Sequence, residues 1–260
     1  MIKGLDKFSA HFATDGGAFV LIGGVACHEW FASQGLDFRA TRDIDIVLIV
    51  EAIDQAFVAR FWEFVEAGKY AIRERAIGSR ELYRFSKPGD NSYPVMLELF
   101  SRKPKNVDLG EGQHVVPLVI EENAASLSAI LLDDNYYNLI REQQIISGKV
   151  PLVTPAALIP LKARAWLDLT ERQEKGGKVD ARDIAKHRAD VFRIGAALSG
   201  EPGPGLPGSI QEDLKMFLAA FPADSAEWTS IRASLQSTFP NVRLKPGDLI
   251  EAIRTYFKLA

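Results

Sequence analysis

The chain has 260 residues, 47% hydrophobic and 25% charged, a composition that excludes disordered, collagen-like and coiled-coil proteins and allows one large domain or two of average size. Its 31 Lys and Arg against 34 Asp and Glu leave a net charge of −3, so a polyanion would need a local basic patch to bind. A single cysteine, Cys27, excludes an intramolecular disulfide, and no apolar run is long enough for a membrane span or a signal peptide, so the expectation is a cytoplasmic globular protein.

In chain order, residues 4–13 carry apolar residues at helical spacing and stop at Asp15-Gly16-Gly17. The continuous apolar run Ala18 to Ile22 reads as a buried strand, ended by Gly23-Gly24. A helix from Val25 to Gln34, closed by Gly35, follows. Asp43 to Val50 is the next strand, and Glu51 to Ala67 an amphipathic helix. Leu82 to Phe85 and Val95 to Phe100 predict an antiparallel pair across a polar loop, and His114 to Ile120 an edge strand. Asp133-Asp134 reads as a helix cap with aromatic packing behind it.

The second half is helical. Thr154-Pro155 starts a helix running to about Lys175, with Pro160 as a kink inside it. Asp180 to Leu198 is the next helix. The stretch Gly200 to Gly208, rich in Gly and Pro, is a linker or long loop, and three shorter helices follow it. The expected class is therefore α+β: a small mixed β-sheet with flanking helices over residues 1–150, then a helical part over 151–260.

Chemistry concentrates at Asp43-Ile44-Asp45. Period two puts both carboxylates on one face of the strand, where they repel unless a cation or proton neutralises them. Upstream, Gly23-Gly24 at a strand–helix turn lets a ligand approach the backbone, and the helix N-terminus offers N–H groups to phosphate. Arg39 and Thr41 stand just before the pair. Glu98 interrupts the apolar strand Val95 to Phe100, and a lone acid there needs a partner; a metal ion shared with Asp43 and Asp45 is the simplest. A solvent-facing strand start for the aspartates, a tight turn for the glycines and an edge position for Glu98 are the plainer alternatives.

Gly23-Gly24, Asp43-Ile44-Asp45 and Glu98 together resemble the signature of the DNA polymerase β-like nucleotidyltransferase superfamily, over about residues 18–100. The Arg39-x-Thr41-x-Asp43 prefix is similar to the branch holding the AbiEii-type toxin nucleotidyltransferases. Two positions depart from that pattern: Val25-Ala26 replace the Ser or Thr that often follows the glycines, and the third acid is Glu where many relatives carry Asp. The resemblance implies a nucleotidyltransferase core and an enzyme that moves a nucleotidyl group from an NTP to an acceptor hydroxyl, releasing pyrophosphate. It implies Mg²⁺ or Mn²⁺ held by Asp43, Asp45 and Glu98, with Gly23, Gly24, Arg39, Thr41 and Lys162 on the nucleotide. Asp190, in Lys186-His-Arg-Ala-Asp190, matches the family's helical acid, with Asp183 the rival. The implied acceptors are RNA, tRNA or protein, and the implied partner is a cognate antitoxin; no membrane is expected. The competing class is a non-catalytic protein of the same fold that binds nucleotide, nucleic acid or a protein.

Other conspicuous residues get blander readings. Cys27 and His28 lack the ligand spacing of a zinc site, and His187 reads as a surface residue. Neither a Gly-x-Ser-x-Gly elbow nor a Walker A sequence is present. Arg73, Arg75, Arg80, Arg84, Arg102, Lys103 and Lys105 form either a basic rim or scattered surface charge.

Overall fold

A computed structural model describes residues 2–49, 51–71, 84–100 and 133–259. Within them the protein is mixed α and β, with a six-stranded sheet and nine helices. The described residues fall into two compact units. One draws on Met1–Glu29, Ala40–Glu121 and Gln144–Val153, the other on Trp30–Arg39, Glu122–Gln143 and Thr154–Ala260.

The first unit is built on strands β1 (Phe19–Ile22), β2 (Asp43–Leu48), β3 (Arg84–Ser86), β4 (Met96–Phe100), β5 (Gln144–Ser147) and β6 (Val150–Val153), in spatial order β3-β4-β2-β1-β6-β5. The sheet is mixed: β1 runs antiparallel to β2 and parallel to β6, and β4 runs parallel to β2 and antiparallel to β3. Register assigns the faces. Phe19 pairs with Leu48, Leu21 with Ile46, Ile46 with Leu99, and Leu97 with Phe85, so these apolar residues share one face. Helices α1 (Leu5–His11) and α3 (Gln55–Ala67) cover that face. Phe8 and Phe57 meet Phe19, and Phe61 meets Phe85, in tilted, stacked and edge-to-face ring contacts. The opposite face carries the charged residues of β2, β3 and β4.

Helix α2 (Gly23–Ser33) begins directly where β1 ends, so Gly23 and Gly24 form its first turn rather than a spacer before it. Helix α3 starts four residues later than the sequence suggests. Asp54 is the reason: its carboxylate accepts from the Phe57 N–H at 2.7 Å and caps the helix there. Strands β3 and β4 form the expected antiparallel pair. Leu82, Tyr83 and the His114–Ile120 strand lie outside the described residues.

The second unit packs helices α4 (Asp134–Glu142), α5 (Pro155–Glu174), α6 (Ala181–Ala196), α7 (Gly208–Ala219), α8 (Trp228–Leu235) and α9 (Pro246–Phe257) around Phe192, Phe217 and Trp228, each under 3% exposed. Asp133 caps α4 through the Asn135 and Tyr136 N–H groups, and Asp180 caps α6 through that of Arg182. Helix α5 starts at Thr154-Pro155 and is continuous through Pro160. The stretch from Gly200 is a long loop seated on α9 that ends at Pro207, since Gly208 already opens α7. Gly203 donates to the Tyr256 carbonyl at 2.8 Å, and a side chain on Gly203 would collide with the Tyr256 ring. Among the described residues no helix is long and apolar enough to cross a membrane.

Candidate active site

On the polar face of the sheet, Asp43 and Asp45 stand two residues apart on β2, both half-buried, with Ile44 fully buried behind them. Parallel pairing of β2 and β4 sets Glu98 directly opposite Asp45. Antiparallel pairing then sets Arg84 of β3 opposite Glu98, and the Arg84 Nε donates to Glu98 Oε1 at 2.6 Å. Three acids and one arginine thus line one face of three adjacent strands. The lone acid in an apolar strand has its partner, and that partner is a guanidinium.

The two glycines are needed by these neighbours. Gly23 adopts φ +64°, and a Cβ there would lie 1.9 Å from Asp45 Oδ2. A Cβ on Gly24 would lie 2.3 Å from the Thr41 hydroxyl oxygen. Asp45 and Thr41 therefore sit directly against the first turn of α2.

The second unit holds a different charged cluster. Asp190 on α6 has no exposed surface and is held by three cations. Arg39 Nε and Nη2 donate to its two oxygens at 2.9 and 2.7 Å, Lys162 Nζ at 2.8 Å, and Arg193 Nη1 at 2.5 Å. Burial pushes the Asp190 carboxyl up, but Lys162 and Arg39 outweigh it and hold the group well below the usual carboxylate range. Lys162 is itself only 5% exposed. Its charge is a buried ion-pair partner, not part of a solvated helix face. Asp183, the rival acid, is exposed near the start of α6 and 3.9 Å from Lys186.

Two members of this cluster escape a reading of the sequence. Arg193 follows Asp190 by three residues on the same helix, is 3% exposed, and also donates to the Ser234 carbonyl. The i, i+3 spacing is the one signal that sequence offers for it. His187 is half-buried rather than fully exposed. Burial, then the charges of Lys162 and Lys186, push its pKa down to about 3 against the pull of Asp190, and its Nδ1 is buried with no hydrogen-bond partner among the described residues.

Of the other residues singled out, Cys27 is buried, and His28 lies 3.2 Å from Glu29. Among the described residues, no three His, Cys, Asp or Glu side chains form a metal-holding group. Arg84 is the one member of the basic rim within the described residues; Arg73, Arg75, Arg80, Arg102, Lys103 and Lys105 lie outside them. None of the protein-family models, curated proteins or solved structures compared with this chain matches it.

Proposed function

We propose that this protein is a divalent-metal-dependent nucleotidyltransferase of the polymerase β-like kind. The observation that carries the reading is the register that lines up Asp43, Asp45 and Glu98 on one sheet face, with the Asp45 carboxylate against the first turn of α2. Two hard carboxylates on one strand fit Mg²⁺, which is commonly held by one or two protein carboxylates together with substrate phosphates. Asp43 and Asp45 would hold the ion, with Glu98 as the third acid once it exchanges Arg84 for the site. When bound, the ion supplies charge neutralisation on the phosphates and the departing pyrophosphate.

The chain's own groups do the rest. N–H groups of the α2 first turn, next to Asp45 and Thr41, bind phosphate oxygens. The acceptor hydroxyl oxygen bonds to the α-phosphorus as the bond to pyrophosphate breaks, and the hydroxyl proton passes to the Glu98 carboxylate directly or through water. The resemblance also implies roles for Arg39, Lys162 and Asp190, all in the second unit. Their support is that residues far apart in sequence form one ion-pair network. RNA or protein acceptors, a toxin role and a cognate antitoxin rest on the resemblance alone.

The Arg84–Glu98 ion pair favours a second reading, a non-catalytic nucleotide binder in which an arginine already balances the third acid. Incubation with each α-labelled NTP, Mg²⁺ or Mn²⁺, and total RNA or lysate protein separates the two. Enzyme activity would transfer label to an RNA or protein band, and Asp43→Asn, Asp45→Asn or Glu98→Gln would each lower transfer by ~100-fold or more. Nucleotide binding with no transfer in the wild type would support the binder.

A further inference from the structure

A groove in the second unit, remote in chemistry from the carboxylates, carries an inference of its own. It lies between α8 and the loop that follows it, has a volume of about 330 Å³, and takes its apolar lining from Leu235, Phe239, Val242 and Leu244. That volume is at the lower end of the range for ligand-binding clefts. Its lining includes Arg232 and Arg243 and no acidic residue. Both arginines are exposed, and among the described residues neither has an ion-pair partner. In a chain with net charge −3, an apolar cleft with two uncompensated guanidiniums is an unbalanced local feature.

Val242 is 57% exposed, one of four large hydrophobic residues left open among the described residues. The loop is preformed. Phe239 N–H donates to the Leu235 carbonyl at 3.0 Å, Val242 N–H to that of Phe239 at 3.3 Å, and Leu244 N–H to that of Val242 at 3.1 Å. A shaped cleft of this kind loses little conformational entropy when it is filled.

We propose that this groove binds a short acidic peptide segment of a partner protein, with an apolar side chain on the apolar lining and flanking carboxylates on Arg232 and Arg243. Arginine presents a planar fork that matches a carboxylate in two-point contact. Single-stranded nucleic acid suits the groove less well, since it binds on exposed aromatic platforms. The ring here, Phe239, is 8% exposed.

The test is fluorescence anisotropy of the full chain with a labelled peptide, acetyl-Glu-Asp-Leu-Phe-Asp-Glu-amide. A lysine-for-acid version of it and a labelled oligouridine serve as the other arms. Binding of the acidic peptide in the micromolar range, weakened about tenfold or more by the double variant Arg232→Glu/Arg243→Glu and by raising salt from ~50 to ~500 mM, is the expected result. Both arginines are exposed, so a thermal melt of the double variant should match the wild type. A Val242→Asp variant, which places an acid in the apolar lining without touching either arginine, should weaken binding as well. Absence of peptide binding up to ~1 mM, binding that survives the double variant, or preference for the oligouridine would each overturn the proposal. None of these outcomes depends on catalysis by the sheet carboxylates.

Discussion

Gly23 is the residue where backbone and chemistry meet most tightly. Its φ of +64° is left-handed, and the space its side chain would take is filled by the Asp45 carboxylate. Alanine there carries the left-handed cost of ~1–2 kcal/mol and must also displace Asp45. Gly23→Ala should therefore lower the urea-unfolding free energy by at least that amount. Under the proposed function it should lower nucleotidyl transfer by more than stability alone accounts for, since the displaced group is a carboxylate of the site. Gly24 has an ordinary φ, so Gly24→Ala tests Thr41 by itself: the hydroxyl must swing away from the 2.3 Å clash. A stability loss for Gly24→Ala as large as that for Gly23→Ala would show that the left-handed backbone is not the main cost. The glycine pair is visible in the sequence. That one makes room for Asp45 and the other for Thr41 is not, because both contacts join residues some twenty positions apart.

At the scale of elements, Asp190 fastens α6 to α5 through Lys162 and to the 30–39 segment through Arg39, while Arg193 continues the chain of contacts to Ser234 at the end of α8. Removing the one acid leaves buried positive charge without compensation, a loss of ~3–5 kcal/mol for a buried pair broken on one side. Asp190→Ala should fall in that range by urea denaturation. Lys162→Met alone should cost less, because Arg39 and Arg193 still satisfy the carboxylate. The double variant Asp190→Ala/Lys162→Met should lose less than the sum of the two single losses, and strict additivity would show that the ion pair is not coupled. Sequence pattern finds these helices well, because caps and apolar periodicity are local. It names Lys162 and Asp190 only through resemblance, and Arg193 hardly at all. A buried arginine and an exposed one look alike until the partner helix is in place.

For the whole molecule, the same distinction explains what can be read before folding. Most strands and helices of both units follow from local signals. The β5–β6 hairpin does not: Pro151 sits in a strand that lies between two others, a position that argues against strand assignment, and the hairpin follows a helix rather than the strands it joins. Nor does the pH response follow from sequence, since His187 reads as a surface residue until its half-buried place near the charges of Lys162, Lys186 and Arg39 is seen. Its pKa is about 3 in the folded chain, from an ordinary value of 6.5. The unfolded chain therefore binds a proton at a pH where the folded one does not, and stability rises with pH across that interval. The contribution is complete above pH ~6.5 and is lost as pH falls toward 3. Asp190 adds its own loss only below its ordinary value of 3.8, because its carboxyl is held down in the folded state. Between pH 6.5 and 4, then, His187 should dominate the acid loss of stability contributed by this cluster. Urea titrations across that window should show a steeper decline for the wild type than for His187→Gln, which keeps a polar side chain but removes the proton-binding ring. Parallel curves for the two proteins would mean that His187 is open to solvent and free to protonate in the folded chain.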